Sequence, residues 1–374
     1  MTNEKKICIL TTVHPPFDVR IFHKEAKSLI KFGYKVTLIV QNNRNEVIDG
    51  VKIIALPKIK NRLIRIFGFT WLVFFLALLQ RADIYHFHDP ELILIGIVLR
   101  LFGKRVIYDV HEDVPKQILG KDWIGNIYIR KFVAFAMDII EQIGALSFSS
   151  IVVATPDIAR RFPKNKTIIL RNFPILELID NVEPADYKKN KPIIIYVGGL
   201  TRIKEIKEII QTMENIGDKA ELWLLGKWES EKFKKDCENL KGWKYTKYLG
   251  HVLLEEVFQY MKIVDIGISI FHPVKNYLTS LPIKAFEYMA CSLPMVMSDF
   301  LYFRKFFKEC AVFVDPFDSK DITEKILYLI NEPDKAKELG KKGRKLIEEK
   351  YNWEIESKKL IMVYNSLLGE GELE

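Results

Sequence analysis

Short apolar runs alternate with helix-patterned stretches along almost the whole chain, and that alternation constrains the fold more than any other feature. Lys6–Val13 (KICILTTV), Lys35–Val40, Val51–Leu56, Ile84–His88, Arg105–Val110 and Ile151–Ala154 read as strands. Between them Phe22–Lys31, Ile66–Leu79, Leu92–Phe102 and a long stretch from about Trp123 to Ile143 read as helices; Gly33 and Gly103 close two of them. Strands that are apolar on both faces must be covered on both faces, which places them in a parallel sheet with helical crossovers. Such crossovers are right-handed, so a doubly wound α/β domain follows.

Arg171 to Pro192 (RNFPILELIDNVEPADYKKNKP) breaks the rhythm with three prolines and mixed charge, and reads as a linker. The alternation then restarts with strands Ile193–Val197, Glu221–Leu225, Tyr245–Leu249, Ile266–Phe271, Pro294–Met297 and Ala311–Val314. Helices are expected over 206–215, 254–261, 283–290 and 322–330. The expected organisation is therefore a first Rossmann-like domain over 1–170, the linker 171–192, and a second Rossmann-like domain over 193–352. The closing helix, Trp353–Leu368, begins a terminal segment 353–374. A length of 374 residues suits two domains, and 49% hydrophobic residues suffice for two cores.

Four scattered cysteines, Cys8, Cys237, Cys291 and Cys310, form no CxxC pair, so neither a zinc site nor a disulfide framework is expected and a reducing cytoplasm fits. The start, MTNEKKICILTTV, is not a signal peptide. No stretch reaches the roughly 18 uncharged residues of a membrane span. The net charge of +9 allows a nucleic acid, an anionic substrate or an anionic membrane as partner. No aromatic-and-basic motif accompanies it, which sets nucleic acid aside.

The richest stretch for chemistry is Asn276–Asp299, NYLTSLPIKAFEYMACSLPMVMSD. A helix over Ile283–Ala290 opens directly after a strand, with Ser280 as N-cap and Pro282 in its first turn. Its free N–H groups then point into the crevice above the sheet, where anions bind. Ser280, Lys284 and Glu287 recur at helical spacing and share a face, although a solvated surface helix carries the same residue types. Upstream, Tyr196–Lys207 (YVGGLTRIKEIK) is a strand, the glycine pair Gly198–Gly199 and a loop into a helix, a place where backbone approaches phosphate. His111 stands at the carboxyl end of the strand in RVIYDVHED, with Glu112 and Asp113 expected to orient its ring. His86 and His88 alternate along one strand before Asp89, but no third spaced ligand accompanies them and no DxD triplet occurs. No metal and no cofactor are expected.

SLPIKAFEYMACSLPMVMSD resembles the C-terminal signature of retaining glycosyltransferases of family 4, the group 1 transferases. Glu287 matches the second of that motif's two glutamates, and Thr279 stands where the first belongs. The resemblance implies the GT-B architecture, an α/β fold of two Rossmann-like domains facing across a cleft, with the C-terminal helix crossing back to the first domain. It implies a cytoplasmic enzyme that moves a sugar, with retention, from a nucleotide sugar to a saccharide, usually lipid-linked, in surface polysaccharide biosynthesis. Lys204 takes the place of the phosphate-binding lysine, Gly199 replaces the family arginine, Glu205 replaces the following glycine, and Arg202 is placed to substitute for the lost arginine. With Gly198, Gly199, Gly250, Thr279, Ser280, Leu281 and Lys284 these form the implied donor site. His111 matches the histidine beside donor sugar and acceptor hydroxyl; His88, Asp89, Glu91, Asp18 and Arg20 are the acceptor-side candidates. His111, Lys204 and Glu287 are the implied catalytic set. Thr279 cannot supply a carboxylate, which keeps open an inactive nucleotide-sugar-binding partner subunit; an epimerase on the same fold is the other alternative.

Lys58, Lys60, Arg62 and Arg65 include no acid among them and lead into the uncharged Ile66–Leu79. Phe67, Phe69, Trp71, Leu72, Phe74, Phe75, Leu78 and Leu79 go nearly all round that helix, more apolar surface than one buried stripe requires. The surplus fits a peripheral site on an anionic membrane at the inner face of the cell membrane. Burial as an ordinary core helix is the competing expectation.

Overall fold

The structure is a computed structural model; it describes residues 4–369 apart from 60, 62 and 63, and of Phe67, Lys275 and Asn276 only the backbone. The chain divides into two compact units, one running up to Asn172 and resuming at Ile355, the other spanning Phe173–Glu354.

The first unit is built on a sheet of eight strands: β1 (Lys6–Leu10), β2 (Lys35–Gln41), β3 (Glu46–Ile48), β4 (Val51–Leu56), β5 (Ile84–Phe87), β6 (Arg105–Val110), β7 (Ser150–Val153) and β8 (Thr167–Ile169). Their order is β3-β4-β2-β1-β5-β6-β7-β8. Every pairing is parallel except β3–β4, a short hairpin at the edge. β3 and β8 are three residues each, and their weak patterns escape a reading by periodicity. The helix expected from Phe22 begins earlier, as a π-helix over Val19–Ala26 that continues as Lys27–Lys31. Asp18 caps it, accepting from the N–H groups of Arg20 (2.8 Å) and Ile21 (3.0 Å).

The second unit holds β9 (Ile193–Val197), β10 (Glu221–Leu225), β11 (Thr246–Gly250), β12 (Ile266–Ser269), β13 (Met295–Ser298) and β14 (Ala311–Val314). Their order, β11-β10-β9-β12-β13-β14, is parallel throughout. That is the doubly wound order in which the chain reverses direction between its first and fourth strands, here β9 and β12. The first unit repeats it, with the reversal between β1 and β5. In such sheets ligands bind beyond the carboxyl ends of the strands at the reversal.

The proline-bearing segment expected as a linker contains a helix, Leu176–Asp180, whose Ile179 is buried in the second core. The last helix, Trp353–Leu368, returns to the first unit, where Tyr364 is fully buried and its hydroxyl lies 2.7 Å from His86 Nδ1. The expected fold class, two parallel-sheet α/β units with a returning C-terminal helix, is the one observed.

One face of the first unit carries much exposed apolar surface. The helix Thr70–Leu79 buries Val73, Phe74 and Ala77 but leaves Trp71, Leu72, Phe75 and Leu79 exposed, the last at 74%. Its neighbour Ile93–Leu101 exposes Leu94 and Leu101, followed by Phe102. Beyond lies Ile127–Ser147, with Tyr128, Phe132, Phe135, Ile139, Ile143 and Leu146 all exposed at the three- and four-residue spacing of one helix face. Monomeric proteins rarely expose contiguous apolar patches beyond a few hundred Å². Among the described residues no helix is long and apolar enough to cross a membrane.

Candidate active site

In the second unit, β9 leads into Gly198, whose φ of +124° suits glycine. Gly226, at the end of the adjacent β10, packs so closely that a Cβ there would lie 1.9 Å from the Gly198 carbonyl oxygen. Only bare backbone fits, and the two strand ends wall a pocket of about 330 Å³ lined by Gly198, Gly199, Gly226, Lys227, His251 and Val252. Gly250 does not line it; its φ is +82° and its carbonyl accepts from the Gly226 N–H at 2.7 Å, so it shapes the pocket from behind.

Two lysines converge on this glycine pair. Lys204 Nζ lies 3.4 Å from where a Cβ on Gly199 would stand, and burial lowers its pKa. Lys284 Nζ lies 3.5 Å from the corresponding point on Gly198 and 3.5 Å above the centroid of Tyr196. The amine is fully buried and makes no hydrogen bond. Burial first, then the charge of Lys204, holds its pKa well below the usual lysine value, while Glu287 acts in the opposite sense. Burial therefore disfavours the charged form of this amine, and an anion bound beside it would favour its protonation.

The helix expected over Ile283–Ala290 has those bounds, but Ser280 does not cap it: Pro282 occupies the N-cap without a side-chain bond, and Ser280 lies in extended backbone two residues upstream. Proline brings φ but no hydroxyl, so the N-cap residue itself offers no side-chain cap. Thr279 ends the short helix Lys275–Thr279 and is exposed, while Leu281 and Glu287 are half-buried. Arg202 departs from its expected role. Its guanidinium pairs with Asp236 at 3.2 Å and lies 4.3 Å over Phe233, lining a separate pocket of about 380 Å³ with Lys207 and His272. Glu205, which replaces the family glycine, has that glycine's left-handed backbone (φ +53°) and is buried against His272.

In the first unit the polar groups gather at the ends of β1, β5 and β6. His111 is 19% exposed at its side chain, and its Nε2 lies 2.9 Å from His88 Nδ1 and 3.3 Å from Asp109 Oδ1. Burial lowers its pKa to about 4. The ring is oriented by Asp109 and His88, not by Glu112 and Asp113 as expected. Asp113 instead caps the helix Val114–Leu119 and pairs with Arg161, and Glu112 is exposed beside Gln117. A signal for Asp109 was present in the sequence: residues two apart on a strand share a face, so Asp109 and His111 were bound to meet.

Three acceptor-side candidates are buried and cannot touch a ligand as the sequence reading expects. Arg20 is bound by Asp109 (2.9 and 3.1 Å), Glu25 (3.0 Å) and the Leu170 carbonyl (3.1 Å). Asp89 accepts from the Thr11 hydroxyl at 2.9 Å and from the Thr12 hydroxyl and backbone, tying down the loop after β1. His88 is 4% exposed. Glu91 is half-buried and paired with Arg65 at 2.8 Å. Asp18, also half-buried, meets His14 Nδ1 at 3.3 Å, and its carboxyl, despite burial, is brought down to about 2 by His14 and the backbone N–H groups it caps.

Beside His86 and His88 the fold brings two acids that no spacing announced, Glu25 and Asp109; one donor atom from each of the four lies within 4.8 Å of the others. All four are buried. The set has the donor types for a metal, but the Arg20 guanidinium already contacts both carboxylates and supplies the positive charge. Asp109, against the pull of burial, is held well below the usual carboxylate range by Arg20 and His111, whereas burial and Asp109 push Glu25 well above it.

Two doubly wound units, with a glycine-walled pocket beyond the ends of β9 and β10 in one and a histidine cluster at the ends of β5 and β6 in the other, have the GT-B class of fold. Solved structures of that class match over nearly the whole chain. A sucrose-phosphate synthase from Thermosynechococcus elongatus matches with a TM-score of 0.77 at 17% identity, covering 98% of this chain and 100% of that one. A glycosyltransferase from Rickettsia africae gives 0.72 at 14%, with 99% and 100% coverage. HepE from Anabaena, solved with UDP and glucose, gives 0.71 at 10%, with 97% and 100%. No curated protein matches the sequence. Residues 180–346, most of the second unit, match the family "Glycosyl transferases group 1".

Proposed function

We propose that this chain is a retaining glycosyltransferase that moves a sugar from a nucleotide sugar to a saccharide acceptor. The observation that carries the reading is Lys284: a buried, unpartnered amine beside Lys204, above Gly198 and Gly199. Two lysine amines beside bare backbone suit a diphosphate, whose charge would favour their protonated forms, and the structural neighbour from Anabaena is solved with UDP and glucose. In the transfer, the acceptor oxygen forms the new bond to the anomeric carbon on the face the nucleotide leaves. The bond from that carbon to the phosphate oxygen breaks, and the departing phosphate takes the hydroxyl proton. Lys204 and Lys284 stabilise the charge that develops on the diphosphate, and the phosphate charge needs no metal. Glu287 is the carboxylate for sugar or ribose hydroxyls, and His111 the ring that meets the reacting sugar in the first unit.

The acceptor is lipid-linked and the reaction belongs to surface polysaccharide assembly at the cytoplasmic side of an anionic membrane. The support is the exposed apolar surface of three neighbouring helices, with Lys104 and Arg105 following Phe102 in the chain and Lys131 preceding Phe132; Lys60 and Arg62 lie outside the described residues. Each basic residue near an anionic leaflet contributes about 1 kcal/mol.

The test is a thermal-shift screen of nucleotides and nucleotide sugars, followed by transfer assays with the stabilising donor. Lys204→Ala and Glu287→Ala, checked for folding, should each cut transfer by about 10²-fold or more. Near-normal transfer by folded Lys204→Ala protein would overturn the reading.

A further inference from the structure

We infer that His88 is a positioning residue for His111, holding its ring as the Nε2–H tautomer so that Nδ1 carries the lone pair. This rests on the reading of His111 as the histidine that meets the sugar.

The two ring nitrogens stand 2.9 Å apart, a distance at which one donates and the other accepts. Burial keeps both rings neutral, so a single hydrogen lies between them. Its owner is decided by the neighbours. His111 Nε2 also lies 3.3 Å from Asp109 Oδ1, and Asp109 is ionised because Arg20 grips both its oxygens. A carboxylate only accepts. A bare Nε2 beside it would set two lone pairs against each other, so the hydrogen belongs to His111 Nε2, which donates it to His88 Nδ1 with the Asp109 carboxylate close by.

His88 then carries its own hydrogen on Nε2, which lies 3.4 Å from Glu25 Oε2 without a hydrogen bond to it. The opposite assignment would set the bare His111 Nε2 lone pair against the ionised Asp109. The consequence reaches the surface through His111 alone. Its partly exposed ring offers an acceptor nitrogen to a sugar hydroxyl, while His88, buried beneath it, never meets the ligand.

The experiment is two-bond ¹H–¹⁵N spectroscopy of the full chain labelled at its seven histidines, with His111 assigned from the signal lost in His111→Gln. The wild type should show His111 as the Nε2–H tautomer. His88→Leu, which removes the acceptor, should populate Nδ1–H at His111 and slow transfer about tenfold, equivalent to ~1.4 kcal/mol of barrier. His88→Gln keeps an acceptor oxygen and should restore both. An Nδ1–H tautomer in the wild type overturns the inference, as does a folded His88→Leu protein with unchanged tautomer and rate. The wild-type spectrum requires no variant to fold. Taken without donor or acceptor, it stands whether or not the chain transfers sugar, so this inference and the functional reading fail separately.

Discussion

Lys284→Met should make the unliganded protein more stable and the enzyme nearly inactive. The amine is buried without a hydrogen-bond partner, a condition that costs about 1–3 kcal/mol. The Tyr196 face, 3.5 Å below it, offsets about 0.5–2 kcal/mol of that. Methionine keeps the length of the stem and replaces the cation with a sulfur that also favours an aromatic ring, by about 0.3–1.5 kcal/mol. The net expectation is a gain of roughly 1–2 kcal/mol. For a unit of this size, at about 2–4 °C per kcal/mol, Tm should rise roughly 2–8 °C. Donor binding should move the other way: transfer should fall about 10²–10³-fold, and the thermal shift given by nucleotide sugar should vanish. Differential scanning fluorimetry with and without donor reads both signs in one experiment. A Lys284→Met protein that is less stable than wild type yet still stabilised by donor would refute the reasoning, since the lysine would then be a structural group.

Further outcomes follow from other parts of the two units. Gly226→Ala should remove donor binding, measured by calorimetry, because its Cβ would lie 1.9 Å from the Gly198 carbonyl oxygen and must displace the glycine pair. The pKa of His111, down at about 4 among Asp109, Arg20, His14, Asp18 and His88, makes folding depend on pH. The unfolded chain takes up a proton near pH 6.5 that the folded one refuses until about 4, so stability contributed above pH 6.5 is lost as pH falls toward 4. That loss reaches about 3 kcal/mol and should be smaller in His111→Gln, as denaturant titrations would show. Transfer should persist in excess EDTA; an absolute requirement for a divalent ion would direct attention to Glu25, His86, His88 and Asp109. Binding to anionic vesicles should weaken with salt and with either Trp71→Glu plus Phe75→Glu or Phe132→Glu plus Phe135→Glu, and sedimentation of the wild type without vesicle enrichment at low salt would count against the membrane face.

The sequence by itself determined what periodicity and local chemistry can encode. The alternation of apolar runs and helices specified two parallel-sheet units, and β4, β6, β9, β10 and β14 have the bounds read from it. The Gly198–Gly199 turn, Lys204 and the helix over Ile283–Ala290 were equally legible, since each depends on neighbours a few positions away. Tertiary structure decided the rest, because it turned on pairings between residues far apart in sequence. Arg20 meets Asp109 across 89 positions and the Thr11 hydroxyl meets Asp89 across 78, which turned expected ligand contacts into buried struts. Lys284 became an unpartnered amine only because β9 brings Tyr196 and Gly198 beneath it. The spacing of His86 and His88 was visible, but their acids come from another helix and another strand. Burial sets the charge states at both sites, and burial is a property of the packed sheet and its covering helices that no short stretch of sequence contains.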